Sequence, residues 1–280
     1  MILVDGNKIA DKIAQDIKRQ NIHHQHPIRL AVVQVGDDKV SALFINKKKK
    51  VAQDLGIDFK LFCFNGDISS RNLRHSIQEI AKNSRYHGIL VQLPLPEQLN
   101  TQYILDAVPL EKDVDVLSSR LLGKFYTGKS LIYPPVVSAI LNILGQYDIK
   151  IAAKTIVIVG GGRLVGKPLS IALMKEKATV IILNSFTKSI KDFISLGDIV
   201  ISAAGKPNLI TSDMFKKGAV VIDAGLSVEK SSSGKHLFKG DIAEDKNLSK
   251  KISLLVPAVG GLGPITVVMV MKNLFKLAKG

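Results

Sequence analysis

Thr155-Ile156-Val157-Ile158-Val159-Gly160-Gly161-Gly162-Arg163-Leu164-Val165-Gly166 is the stretch on which the fold turns. Its run of β-branched residues fits a strand buried on both faces. The glycines that follow let backbone N–H groups come close to an anion, and a helix beginning near Val165 would aim its N-terminus at that anion. The spacing Gly-x-Gly-x-x-x-Gly is one residue longer than the common dinucleotide fingerprint. A tight strand-to-helix turn without a ligand has the same local sequence, so the neighbouring segments decide. Further apolar runs at 179–183, 198–201 and 219–222 follow at intervals of roughly twenty residues, with a shorter one at 254–256, and this rhythm predicts a doubly wound nucleotide fold. Upstream the alternation continues, with strands expected at 30–35, 59–64 and 88–93, helical patterns such as 71–83 between them, and a last helix over 266–278. The chain therefore reads as α/β with mainly parallel strands.

Two hundred and eighty residues, 46% of them hydrophobic and 22% charged, suffice for two domains with sizeable cores. The boundary is expected between Asp115 and Lys150, where segments are short and Pro134 and Pro135 occur. No segment is expected to serve as a bilayer span of ~18–20 apolar residues, and Met1-Ile2-Leu3-Val4-Asp5 meets an acid too early for a signal peptide. A membrane role is thus not expected. The single cysteine, Cys63, excludes an intrachain disulfide framework and a cysteine-built zinc site. A cytoplasmic protein is therefore expected.

The net charge of +15 raises the question of nucleic acid. Only seven of the 39 basic residues are arginines, the lysines are spread along the chain, and there is no tryptophan. Forked phosphate contacts and stacking platforms are therefore scarce, and a solvated lysine surface attractive to small anions is the better reading. No metal site is expected either. The histidines lack acidic partners at ligand spacing, and His23-His24-Gln25-His26 reads as a loop.

In the usual NAD arrangement a carboxylate about 20 residues past the glycines binds the ribose hydroxyls. Here the second strand of the nucleotide fold runs into Asn184-Ser185-Phe186-Thr187-Lys188, without an acid. Ser185 could donate to a 2′-phosphate, and Arg163 or Lys188 could neutralise it. NADP is therefore expected rather than NAD, although Arg163 could equally be an ordinary solvated loop residue.

A second cluster comes from polar residues in apolar places. Residues 39–55 fit a helix in which Val40, Phe44, Val51 and Leu55 share a stripe. Lys49 and Lys50 point away from it, but Lys48 lies within it, one turn after Phe44 and beside Ala52. Such a lysine can snorkel to water, or it can be a partly desolvated amine able to work as an acid or base. Phe44 could offer a flat face to a ring substrate or simply pack in the core. Gln92 ends the strand Gly88-Ile89-Leu90-Val91, at the end where open α/β sheets bind ligands. Asp115 closes Lys112-Asp113-Val114-Asp115, and a carboxylate can accept two parallel N–H bonds from an aminopyrimidinone edge. Asp113 and Asp115 could also be turn or helix caps.

Taken in order, the strings VQLPLP (91–96), KDVD (112–115) and GGLGPIT (260–266), together with Val4-Asp5-Gly6, Lys48, 160–168, 204–207 and 221–225, resemble the bifunctional methylenetetrahydrofolate dehydrogenase/methenyltetrahydrofolate cyclohydrolase family over nearly the whole chain. The resemblance implies NADP-dependent oxidation of 5,10-methylenetetrahydrofolate and hydrolysis of the methenyl product to 10-formyltetrahydrofolate. It implies a folate domain of residues 1–118 plus 266–280, a Rossmann-like NADP-binding domain of residues 119–265, and a homodimer. The family's catalytic lysine falls on Lys48, its partner glutamine on Gln92 and its pterin-anchoring aspartate on Asp115. Phe44, Val91, Leu93, Gly260, Gly261 and Pro264 would contact the substrate. Gly160, Gly161, Gly162, Arg163, Ser185 and Leu226 would bind the cofactor. Departures cluster on the folate side: Phe44 stands where the family has tyrosine, Val116 where it has glycine, and Pro134-Pro135-Val136-Val137 where it has Pro-Cys-Thr-Pro. These leave two alternatives, a dehydrogenase with weak or absent hydrolysis and a non-catalytic nucleotide-binding relative.

Overall fold

A computed structural model describes residues 1–21, 27–230 and 236–279. The histidine run 23–26 and the serine run 231–233 lie outside the described residues. The elements, in chain order, are β1 (Ile2–Leu3), α1 (Gly6–Asn21), β2 (Arg29–Val35), α2 (Lys39–Asp54), β3 (Asp58–Phe64), α3 (Ser70–Lys82), β4 (Gly88–Val91), α4 (Thr101–Leu105), α5 (Ser119–Tyr126), α6 (Pro135–Gln146), β5 (Thr155–Val159), α7 (Gly166–Lys175), β6 (Thr179–Leu183), α8 (Ile190–Ile194), β7 (Ile199–Ser202), β8 (Ala219–Asp223), β9 (Ser227–Lys230), β10 (His236–Lys239), α9 (Leu248–Lys251), β11 (Ile252–Val256) and α10 (Gly263–Ala278).

The chain divides into two compact units. One comprises residues 1–10 and 136–266, the other residues 11–135 and 267–280. The first carries a six-stranded sheet in the order β1-β11-β8-β7-β5-β6, with every neighbouring pair parallel. Its central strands are β-branched runs buried along their length, as covered parallel strands require. From β5 the chain steps outward to β6 and then back across to β7. That reversal is the switch point at which doubly wound sheets bind ligands. The edge strand β6 is correspondingly half open, with Ile182 exposed.

The second unit holds a three-stranded parallel sheet, β3-β2-β4. A parallel bridge from Ile89 to Asp113 extends it beyond β4. Its core packs β2 and β4 against Leu73 and Ile77 of α3 and Ile104 of α4. The amphipathic face of α3 is closed at both ends. Ser69 accepts from Asn72 N at the start, and Lys112 Nζ donates to the carbonyls of Ala81 (2.7 Å) and Asn83 (2.9 Å) at the finish.

Several boundaries differ from expectation. Residues 1–10 go with the dinucleotide-type unit rather than with residues 11–118, because β1 pairs in parallel with β11, Ile2 opposite Leu254 and Leu3 opposite Leu255. The division after the first half falls at 135/136, inside the expected 115–150 window but later than the 118/119 that the resemblance implied, because residues 119–126 form α5, capped by Ser118, which belongs with the earlier residues. The strand expected to reach residue 93 stops at Val91. Gln92 N still donates to Val33 O (2.9 Å), but Pro94 has no N–H to continue a ladder. Finally, the buried side of α2 is Ser41, Ile45 and Ala52, continued by Leu55, with Val40, Phe44 and Val51 half-buried along its flank. At 100° per residue that line runs through Lys48, so the lysine stands deeper in the stripe than the apolar spacing alone suggested.

Candidate active site

Lys48 is half-buried, and its Nζ donates to Gln92 Oε1 at 2.8 Å. Gln92 is buried, and its own Nε2 donates to the Leu93 carbonyl at 2.6 Å. That second bond fixes the amide, so the oxygen faces the amine. Two elements set this geometry. The C-terminal end of β4 delivers Gln92, and the inward stripe of α2 delivers Lys48 on a helix begun by Asp38, whose carboxylate accepts from Ser41 N at 2.7 Å.

Asp115 comes from the turn beyond the Ile89–Asp113 bridge. Asp113 is buried and turned onto its own backbone. Its carboxylate accepts the backbone N–H groups of Leu117 (3.1 Å) and Ser118 (2.8 Å), the turn-capping role that its sequence allowed. Inside the turn, Val116 has φ of 58°, a left-handed conformation that is costly for a β-branched residue. Full burial of the valine helps to hold it there. From α10, Asn273 Nδ2 donates to the carbonyls of Val114 and Tyr133, both at 2.9 Å. Sequence reading missed Asn273. Its one signal was a polar residue on the buried stripe of an apolar helix.

Burial lowers the Lys48 amine from its ordinary value, while the charge of Asp115 works in the opposite direction. Burial raises Asp115 to about 6, with Lys48 lowering it and Asp113 raising it. The pair therefore brings an amine and a carboxylate closer to neutral pH, which suits proton transfer. Phe44, one turn before Lys48, is half-buried and has the Lys47 ammonium 5.8 Å from its ring centroid. Val91 is buried and Leu93 half-buried, on either side of Gln92.

The remaining candidates lie in the other unit. Gly160 has φ of 113°, and a Cβ there would stand 2.4 Å from the Ala203 carbonyl oxygen. A Cβ on Gly166 would stand 2.0 Å from the Gly160 carbonyl oxygen, so both positions require glycine. A Cβ on Gly161 would lie 3.5 Å from Ile182 at the end of β6, whereas Gly162 faces open space. No side chain caps the N-terminus of α7 at Val165. A glycine loop with open room, leading into an uncapped helix start at the switch point, fits a phosphate-bearing dinucleotide. Arg163, Ser185 and Lys188 are exposed, and Ser185 lies just past β6, where a carboxylate would select NAD. Leu226 is exposed after β8. Gly260 and Gly261 form the turn after β11, Gly260 with φ of 76°, and Gly6 lies so close that a Cβ there would meet the Gly261 carbonyl. Pro264 opens α10. Among the described residues no group of His, Cys, Asp and Glu could hold a metal ion.

Two family models match the chain: the catalytic domain of tetrahydrofolate dehydrogenase/cyclohydrolase over residues 4–115 and its NAD(P)-binding domain over residues 134–280. The chain is 36% identical over 280 residues to the bifunctional protein FolD of Nitrosomonas europaea, covering 99% of this chain and 93% of that protein. Among solved structures it is similar to the bifunctional enzyme FolD, methylenetetrahydrofolate dehydrogenase/cyclohydrolase, of Campylobacter jejuni, with a TM-score of 0.92 and 33% identity over 100% of this chain and 99% of that one. The N5,N10-methylenetetrahydrofolate dehydrogenase-cyclohydrolase of Trypanosoma brucei, solved with NADP and an inhibitor, gives a TM-score of 0.94 at 28% identity over 99% and 97% of the two chains.

Proposed function

The chain belongs to the tetrahydrofolate dehydrogenase/cyclohydrolase family, and from that premise we infer that it oxidises 5,10-methylenetetrahydrofolate with NADP and hydrolyses the methenyl product to 10-formyltetrahydrofolate. The observation that carries the assignment of residues is the 2.8 Å contact between Lys48 Nζ and Gln92 Oε1 in the same unit as Asp115.

A bound NADP would supply the acceptor for the hydride of the substrate's methylene carbon. The chain's part in that step is positioning. Asp115 accepts the N–H groups of the pterin edge, Phe44 packs against the ring, and Val91 and Leu93 border the same place. Gly260, Gly261 and Pro264, in the turn after β11, are the further candidates for substrate contact. The Gly160–Gly162 backbone would hold the pyrophosphate, Ser185 with Arg163 or Lys188 the 2′-phosphate, and Leu226 would line the nicotinamide end. In the hydrolytic step water adds to the methenyl carbon. Lys48 Nζ takes the water's proton and supplies one to the ring nitrogen as the carbon–nitrogen bond opens, with one proton released to solvent overall. Gln92 Oε1 holds the amine at the angle needed.

Replacing Lys48 with Met keeps the packing of α2 and removes the amine. Hydrolysis of methenyltetrahydrofolate should fall by about 10²–10⁴-fold, with methylenetetrahydrofolate oxidation falling less than about tenfold. Equal losses in both assays would break the division of roles. Phe44, which lacks a hydroxyl, supports the alternative of a dehydrogenase with weak hydrolysis, and the unmodified enzyme's hydrolytic rate in the same assay decides it. A cytoplasmic homodimer completes the proposal. The single free cysteine suits a reducing compartment, and sedimentation should give twice the chain mass of 30.4 kDa.

A further inference from the structure

The loop that follows β7 lies across the switch point from the glycine loop, and one buried side chain gathers it. Asp241 is fully buried. Its Oδ2 accepts from Ser202 Oγ (2.6 Å), Ala204 N (2.7 Å) and Gly205 N (3.2 Å), and its Oδ1 accepts from Lys206 N (2.7 Å). A carboxylate has about four acceptor sites, and here four donors meet it. Beneath it, Asp223 Oδ1 accepts from Asp241 N (3.2 Å) and Gly225 N (3.1 Å), and Asp223 Oδ2 accepts from Ile242 N (3.0 Å). The space is closed on both sides. A Cβ on Gly225 would stand 2.0 Å from Asp241 Oδ2, and one on Gly240 would stand 2.1 Å from Asp223 Oδ2. Burying two neighbouring carboxylates is expensive, and burial accordingly pushes Asp223 up to about 6, with the charge of Asp241 adding to the rise.

What this arrangement secures is the set of loops at the C-terminal ends of β5, β7 and β8, adjacent strands of one sheet. Gly160 abuts the Ala203 carbonyl. Ser227 Oγ donates to the Gly205 carbonyl at 2.8 Å, tying the segment that carries Leu226 to the same loop. Moving residues 203–206 therefore disturbs both Gly160 and the neighbours of Leu226. Resting on the dinucleotide assignment above, we propose that Asp241, seated on Asp223, is a positioning residue for the cofactor site: it fixes residues 203–206 in the shape that meets NADP without touching NADP itself.

Asparagine at this position offers one oxygen and an NH₂ group that opposes the remaining N–H donors. In Asp241→Asn, calorimetric titration should show NADP bound about ten- to a hundredfold more weakly. Amide exchange at Ala204, Gly205 and Lys206 should accelerate at least about tenfold in the ligand-free protein. Cofactor-free hydrolysis of methenyltetrahydrofolate, which depends on Lys48, Gln92 and Asp115 in the other unit, should stay within about twofold, and general destabilisation would not leave it so. NADP affinity unchanged in Asp241→Asn overturns the proposal, as does a hydrolytic loss that matches the binding loss. Ser202→Ala removes one donor and leaves the backbone intact, so it carries the test if the asparagine variant does not fold. Its NADP affinity should fall about threefold with faster exchange at the same three amides, and wild-type values for both overturn the proposal. Failure of the unmodified protein to bind NADP would instead refute the cofactor assignment itself.

Discussion

As the proposed pterin anchor, Asp115 should couple substrate binding to pH in a way that its neighbours make measurable. Burial raises its carboxyl to about 6 against an ordinary 3.8, and the Lys48 charge restrains that rise. Only the ionised form accepts both N–H groups of a pterin edge, so affinity for a folate analogue should be flat above about pH 7. It should fall about tenfold for each unit below pH 6, which makes it about tenfold weaker at pH 5. In Lys48→Met the restraining charge is gone, so the break should move above 6. In Asp115→Asn affinity should be low and level across the window. Stability gives an independent readout. A carboxyl whose folded pKa exceeds its unfolded one stabilises the fold fully below pH 3.8, and that contribution is lost as pH rises through 6. A difference of about two units corresponds to about 3 kcal/mol. Urea unfolding of wild type and Asp115→Asn from pH 4 to 6.5 should therefore show the wild type losing about 2–3 kcal/mol relative to the variant. A binding curve flat down to pH 5, or a break that moves downward in Lys48→Met, is incompatible with a desolvated carboxylate opposed to that amine.

The glycines separate packing from ligand contact. Gly225→Ala drives a methyl into the Asp241 carboxylate and should cost at least about 2 kcal/mol in unfolding experiments, whereas Gly162→Ala points into open space and should stay within about 0.5 kcal/mol while weakening NADP binding about tenfold, as calorimetry would register. Ser185→Asp places a carboxylate where the 2′-phosphate is expected and should weaken NADP by about ten- to a hundredfold with little change for NAD, read from the ratio of KM values for the two cofactors.

The parallel sheet was legible because covered strands are spelled as β-branched runs, and β5 and β6 fall where the sequence put them. β1 was not: two exposed residues at the chain start carry no periodic signal, and only their pairing with β11 makes them a strand. Lys48 stood out as a charge in an apolar stripe, but its depth was understated. The buried side of α2 includes Ser41, which an apolar count omits, so the apparent stripe was rotated toward Val40 and Phe44. Gln92 and Asp115 were singled out from their position at strand ends. Asp241 was invisible, because a buried carboxylate that serves backbone amides looks in sequence like any loop acid. Val116 illustrates the same limit from the other side. The chain keeps a left-handed turn where glycine would be expected, and the compensating burial of the valine is a tertiary fact.

Asn273 has a consequence for how the protein is made. Its amide holds Val114 and Tyr133, and the next residue, Leu274, packs over Gly88 so closely that a methyl there would lie 2.6 Å from it. The turn bearing Asp115 is thus finished by a residue 159 positions beyond Val114. A nascent chain can pair β2, β3 and β4 early, yet its acid stays unlatched until α10 has been made. Fragments that stop short of α10 carry every reactive group of that unit and still lack an assembled centre, so such products should be inert rather than partly active.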